Sequence, residues 1–275
     1  MLTLSPPESA VVEPADSPNA RAQFLILTLF GDYILPRGGE IWTSSLLALL
    51  ELLGVGERAA RSALSRMAGR GWLLARRQGR RSQYSLTSSG RGLLEQGARR
   101  LFEPAFTDWD GLWQLVIYSL PESKRGLRHA LRGQLIWLGF GPLAPATWIS
   151  PRDRQTELAY VCDELGLAGH VELFSGVRQH SDHTQALVER CWDLQALHAE
   201  YRQFVERHEP ASMEMAAWSA ERLRQQTSLC FIRRFWLTHD YLPFPRKDPN
   251  LPAALLPSDW AGFDARRLFE QYRRL

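Results

Sequence analysis

The chain predicts an α+β protein with an N-terminal winged helix-turn-helix, a ferredoxin-like middle domain and a mostly helical C-terminal region. Three observations carry that prediction. Two short apolar-patterned helical segments, Leu46–Leu53 and Glu57–Gly69, are separated by little more than a glycine stop. An arginine-rich hairpin pattern follows them. Beyond Trp109, short apolar strands alternate with amphipathic helices.

Residues 1–19 hold four prolines, small residues and acids with little to bury, and read as a disordered tail. The winged helix is expected over 20–103. Its first helix, Ala20 to Tyr33, places Phe24, Leu27, Thr28 and Gly31 along one side and must end before Pro36-Arg37-Gly38-Gly39. Ser44 or Ser45 is expected to cap the second helix, which stops at Gly54. In the third, Ala60, Ala63, Leu64 and Met67 follow i, i+3, i+4, i+7 and must face the core. Arg58, Arg61, Ser62 and Ser65 then fall on the opposite face, with Arg66 and Arg70 flanking it. Trp72–Arg77 and Gln83–Leu86 read as two strands turned by Gly79, and Thr87 as the cap of a closing helix.

A linker is expected over Pro104–Asp110, then the middle domain over 109–178. Its elements are a strand at Leu112–Leu120, a helix at Glu122–Gly139, a strand at Ala146–Ser150, a helix at Arg152–Leu165 and a strand at Val171–Phe174, leaving one strand to place. The helical domain is expected over 181–275. There Leu187, Cys191, Leu194, Leu197, Tyr201 and Phe204 keep helical spacing, Asp240–Pro257 reads as extended, and Ala265–Tyr272 as a final helix.

The net charge of +3 is uneven. Residues 21–103 carry 13 basic and 6 acidic side chains, so the whole positive excess sits there. Eight arginines and no carboxylate lie between Arg58 and Arg81. A solvated helix face normally interleaves acids for i, i+4 pairing. A run without them is the footprint of a polyanion-binding surface. Arg58, Arg61, Ser62 and Ser65 are placed to reach base edges, and Arg77, Arg80 and Arg81 to hold phosphate. Arg66 is counted with these DNA-binding candidates, although, flanking the buried side, it is the arginine most suited to a structural role.

Other classes find little support. The longest mostly apolar stretch, Phe24 to Phe30, is seven residues, against roughly twenty for a membrane span. Three widely spaced cysteines suggest reduced thiols and a cytoplasmic protein rather than a disulfide framework. The first residues lack a basic, apolar, small-residue progression, so no secretion signal is expected. His180 and His183 have a metal-like spacing, but no Cys or Glu completes a set. No phosphate-binding glycine loop or serine elbow appears, so neither a cofactor nor catalysis is expected.

Several stretches resemble the PaaX family. They are Phe24–Leu27 with Thr28-Leu29-Phe30-Gly31-Asp32-Tyr33, Pro36-Arg37-Gly38-Gly39 with Trp42, Arg61-Ser62-Ala63-Leu64-Ser65-Arg66, and Gly79-Arg80-Arg81-Ser82-Gln83-Tyr84 with Leu86-Thr87. The run Arg246-Lys247-Asp248-Pro249-Asn250-Leu251-Pro252, with Leu255-Leu256-Pro257 and Asp259-Trp260, is similar to that family's tail. The resemblance implies a repressor of aromatic-acid catabolism genes. Such a repressor binds double-stranded operator DNA and is released by an aryl-CoA thioester such as phenylacetyl-CoA.

Reading a two-fold operator also requires a homodimer. An aryl-CoA effector needs an apolar slot beside cationic groups. With the family resemblance, that requirement points to Trp192, Arg233, Arg234, Trp236 and His239 as ligand-binding candidates. Val116-Ile117-Tyr118-Ser119-Leu120-Pro121 is similar to the small ferredoxin-like subunit of CRISPR adaptation complexes. That likeness leaves a metal-dependent nuclease as the alternative reading. Ser119 stands where that subunit commonly has an aspartate, and a hydroxyl does not replace a carboxylate on a hard cation.

Overall fold

The computed structural model describes residues 18–101, 108–179 and 183–274. Most of the expected tail, the first residues of the expected linker, and the segment 180–182 lie outside them. In chain order the helices are α1 (Pro18–Leu29), α2 (Thr43–Leu52), α3 (Glu57–Gly69), α4 (Ser88–Leu101), α5 (Arg125–Trp137), α6 (Gln155–Glu164), α7 (Thr184–Cys191), α8 (Leu194–Ala216), α9 (Ala220–Gln225), α10 (Thr227–Tyr241), α11 (Phe244–Lys247) and α12 (Ala261–Arg274). The strands are β1 (Glu40–Trp42), β2 (Leu73–Gln78), β3 (Arg81–Leu86), β4 (Trp113–Tyr118), β5 (Gly141–Ala144), β6 (Thr147–Ser150) and β7 (Val171–Gly176).

These elements form two compact units that do not follow chain order. One comprises the described residues of 9–102 with 206–243 and 266–274; the other comprises 108–205 with 244–265.

The first unit holds the winged helix. Helix α1 is buried almost all round, through Ala22, Leu25, Ile26, Leu27 and Leu29, because α3 and α10 both pack on it. It widens into a π-helical turn at Phe30–Ile34 and ends at Gly38, whose φ of 104° is open to glycine. The chain then forms β1, a strand that the sequence pattern did not reveal, and enters α2 directly. Trp42 is its N-cap residue and makes no side-chain cap bond, so neither Ser44 nor Ser45 caps this helix. Gly54 (φ 80°) ends the turn before α3, as its sequence predicts. Strands β1, β3 and β2 form an antiparallel sheet in that order. Thr87 caps α4, its Oγ1 accepting from the Gly90 amide at 3.1 Å. Gly90 is required there, because a Cβ would lie 2.2 Å from the Trp72 carbonyl oxygen.

The second unit is the ferredoxin-like sheet, with antiparallel order β5-β6-β4-β7. The missing strand is β5, just beyond Gly139, where the sequence pattern ends the preceding helix. Pro142 is tolerated there because β5 is an edge strand. Val116, Tyr118 and Trp148 pack beneath Leu131, Leu135 and Leu158 of α5 and α6. The expected extended stretch Asp240–Pro257 also differs. Helix α10 runs on to Tyr241, and Phe244–Lys247 is helical, with Pro245 in the first turn, where its missing N–H costs nothing.

Candidate nucleic-acid interface

Helix α3 separates its two faces cleanly. Ala60, Ala63, Leu64 and Met67 are all within 1% of full burial, while Arg58, Arg61, Ser62 and Ser65 are exposed. Small alanines on the buried side let α3 lie close against α1. The Arg61 guanidinium pairs with Glu57 one turn earlier, at 2.7 Å, with both groups more than half exposed. Such a pair contributes roughly 0.3–0.5 kcal/mol and is readily exchanged for a phosphate or a guanine edge. Arg66 is different. Its Nη1 donates to Ser62 Oγ at 3.0 Å and its Nη2 is buried, so part of this guanidinium is held within the protein. Arg70 is likewise engaged, stacking on the Trp72 ring and donating to Gln23.

Strands β2 and β3 pair from Leu73↔Leu86 to Gln78↔Arg81, leaving Gly79-Arg80 as a two-residue turn. Gly79 has φ 62°, the value a type II′ hairpin turn requires at its first central residue. Beyond Leu73 every residue of β2 is exposed, so this hairpin buries little and projects its arginines. Arg80 is exposed at the turn. Arg77 bends back to donate to the Gly79 carbonyl at 3.2 Å. Arg81 lies over the Trp42 ring at 6.0 Å, and Arg76 approaches Glu40 at 3.9 Å. The strand missed in the sequence therefore has a definite role. Through Trp42 and Glu40, and with Thr43 just after it donating to the Ser82 carbonyl, it holds the β3 side of the hairpin. Its only sequence signal was the β-forming pair Ile41-Trp42 after Gly38-Gly39.

The C-terminal candidates do not come together as a group. Arg233 and Trp236 line one cleft of about 480 Å³ with Arg21, Arg207, His208, Asp240 and Tyr272, all within the first unit. Arg233 pairs with Glu214 at 2.8 Å. Arg234, on the same helix, lies over the Tyr33 ring at 5.8 Å. His239 is buried against Phe24, Phe235 and Trp236. Burial holds its imidazole down to about 4, outweighing the opposing pull of Asp240, with the nearby Arg21 charge adding a smaller push in the same direction as burial. It is therefore neutral at pH 7. The Thr28 hydroxyl donates to the Phe24 carbonyl, which leaves its lone pairs for His239 Nδ1–H at 3.0 Å. Trp192 belongs to the other unit, where its Nε1 donates to the Gly139 carbonyl and its ring closes on Gly141. Sequence reasoning missed Arg21 and Arg207, each isolated in the sequence and brought to the cleft only by folding.

In the ferredoxin-like unit, Ser119 follows β4 and its carbonyl is 3.2 Å from His170 Nδ1. On the other side of that ring, Nε2 is 3.0 Å from Lys124 Nζ. His170 thus bridges the Ser119 carbonyl and an ammonium group, and Ser119 itself offers no carboxylate to a hard cation. Among the described residues no group of three or more His, Cys, Asp or Glu is arranged to hold a metal ion. None of the described helices is long and apolar enough to cross a membrane.

Comparisons with known proteins agree with this geometry. Three family models match successive parts of the chain: PaaX-like protein over residues 21–90, PaaX protein central Cas2-like domain over 107–188, and PaaX-like protein C-terminal domain over 192–275. Transcriptional repressor PaaX from Escherichia coli (strain K12) is 38% identical over 247 residues, covering 89% of this chain and 77% of the relative. A solved structure, the uncharacterized protein Rv0674 from Mycobacterium tuberculosis, shares the fold with a TM-score of 0.59 at 23% identity, over 92% of this chain and 94% of that one. The chain belongs to the PaaX family.

Proposed function

We propose that this protein is a cytoplasmic, non-enzymatic transcriptional repressor that binds operator DNA as a homodimer. Its genes would be those of aromatic, phenylacetate-type catabolism, and an aryl-CoA thioester such as phenylacetyl-CoA would release it. The observation that carries the reading is the exposed surface of α3 and the β2–β3 hairpin. Its arginines other than Arg66 are exposed, Glu57 and Glu40 are the carboxylates paired with them among the described residues, and the chain is 38% identical to a transcriptional repressor. Arg58, Arg61, Ser62 and Ser65 would enter the major groove, where a bidentate Arg–guanine contact discriminates by about 1–3 kcal/mol. Arg77, Arg80 and Arg81 would grip the backbone, giving affinity and salt dependence without sequence choice. Arg66 would brace α3 through Ser62. On the effector side, Arg233 and Trp236 provide the cationic and aromatic chemistry.

Fluorescence anisotropy with promoter fragments tests this reading. Salt-sensitive binding to one fragment, reversed by phenylacetyl-CoA, supports it. Equal binding to every duplex at all salt concentrations contradicts it. The nuclease alternative is not favoured, given Ser119 in place of a carboxylate and the family to which the chain belongs. Incubation with DNA and magnesium or manganese should leave the duplex intact.

A further inference from the structure

The cleft that holds Arg233 and Trp236 is a charged and aromatic site whose wall is the first helix of the DNA-binding region. Helix α1 contributes Arg21, α8 contributes Arg207, His208 and Ala211, α10 contributes Ile232, Arg233, Trp236, Leu237 and Asp240, and α12 contributes Tyr272. Arg21 lies over the Trp236 ring at 5.7 Å and is in no ion pair among the described residues. Asp240 is already engaged, accepting from Arg207 at 3.2 Å and His208 at 3.0 Å. Glu214 engages one nitrogen of Arg233, whose Nη1 has no hydrogen-bond partner. Three guanidiniums and a single carboxylate therefore line the cleft, with an indole and aliphatic side chains beside them.

We infer that this cleft binds an aromatic ring bearing several negative charges. Resting on the proposed effector reading, the ligand is the adenine-phosphate end of the CoA thioester. Several guanidiniums match phosphates better than a single carboxylate does, and Trp236 offers a face for the purine. A cleft of about 480 Å³ accommodates one end of such a ligand and leaves its acyl arm to extend outward.

The same geometry supplies a route to the DNA surface. Helix α1 and the π-helical turn that follows it are held to α10 by Thr28–His239, by Phe24 against His239 at 4.5 Å, and by Tyr33 against Phe231 at 5.1 Å. On its other side α1 packs on α3 and bonds Arg70 through Gln23. A ligand drawing Arg21 toward Arg207 and Arg233 acts on the support of the recognition helix without passing through the ferredoxin-like unit. It shifts the DNA-binding equilibrium to the extent that it prefers one position of α1.

Calorimetry on the full chain with phenylacetyl-CoA, CoA and phenylacetate tests the site. Both CoA compounds should bind and compete, and phenylacetate should not compete. Arg21→Glu should weaken both CoA compounds by about tenfold or more, while Arg21→Lys keeps affinity within about threefold, and thermal midpoints report that each variant folds. A folded Arg21→Glu that binds phenylacetyl-CoA as tightly as wild type overturns the site and leaves the effector reading standing. So does competition by phenylacetate but not CoA. Wild type that binds none of the three overturns the effector reading and the site with it. Amide exchange should change in α1 and α3 on ligand addition; a change confined to α8, α10 and α12 overturns the route.

Discussion

Two arginine-bearing helices in one compact unit make opposite use of the same side chain. On α3, Arg58 and Arg61 point to solvent, and Arg61 has only an exposed neighbour, Glu57, on its own helix. On α10, Arg233 is held by Glu214 and lies 5.4 Å from the Trp218 ring, while Arg234 lies over Tyr33. Both helices anchor in the same core, α3 through Leu64 and Met67 and α10 through Phe235. The difference is in the surroundings. Arg234, held against a ring, is already engaged, and Arg233 is shared between Glu214 and its cleft, whereas Arg58 and Arg61 face water and are open to a partner as large as a DNA duplex.

The largest expected effects test the shared core. Leu64→Ala should destabilise the unit by about 2–5 kcal/mol and Phe235→Ala by about 3–5 kcal/mol in denaturant titrations. A loss below about 1 kcal/mol at Phe235 would mean that α10 does not share the winged-helix core.

Next comes pH. His239 has its imidazole lowered from 6.5 to about 4 by burial. The unfolded chain takes up its proton as pH falls through 6.5, and the folded chain resists until about 4. Stability should therefore fall across that window by about 3 kcal/mol, and no further below it on account of this residue. His239→Gln should flatten that part of the stability–pH curve; an unchanged curve would contradict the neutral, buried imidazole. Asp240 acts lower on the scale. Burial raises its carboxyl, but His208 and Arg207 outweigh that and hold it below the ordinary carboxylate range, so its contribution disappears only in stronger acid.

The arginines provide the finest contrast. Arg61→Ala should change folding stability by less than about 0.5 kcal/mol yet weaken operator binding by about 1–3 kcal/mol, with less effect on random DNA. Arg234→Ala should do the reverse, costing about 1 kcal/mol of stability through its lost ring contact and leaving operator affinity nearly as it was. Equal behaviour of the two variants in both assays would erase the distinction between the helices.

Helix α3 was legible because its buried and exposed residues alternate with helical period, and the hairpin because Gly79 marks its turn. Thr87 announced its cap. What could not be read has local reasons. Strand β1 is three residues long, too short for a period of two to register. Strand β5 contains Gly141 and Pro142, which signal a stop anywhere but an edge. The end of α10 and the turn of α11 were hidden by Pro243 and Pro245, since a proline in a first helical turn looks in sequence like one that breaks a helix. Arg21 and Arg207 carried no pattern at all. Only the packing of α1 and α8 beside α10 gives them a common cleft, and no periodicity within one segment encodes that meeting.

The salt dependence of operator binding, measured for wild type and for Arg61→Glu combined with Arg80→Glu, tests the central claim most directly. Removing two cationic contacts should make the slope of log affinity against log salt shallower by about two. Affinity at moderate ionic strength should fall by about a hundredfold or more. Superimposable titrations of the two proteins would contradict the account, because α3 and its hairpin would then not be the surface that meets DNA.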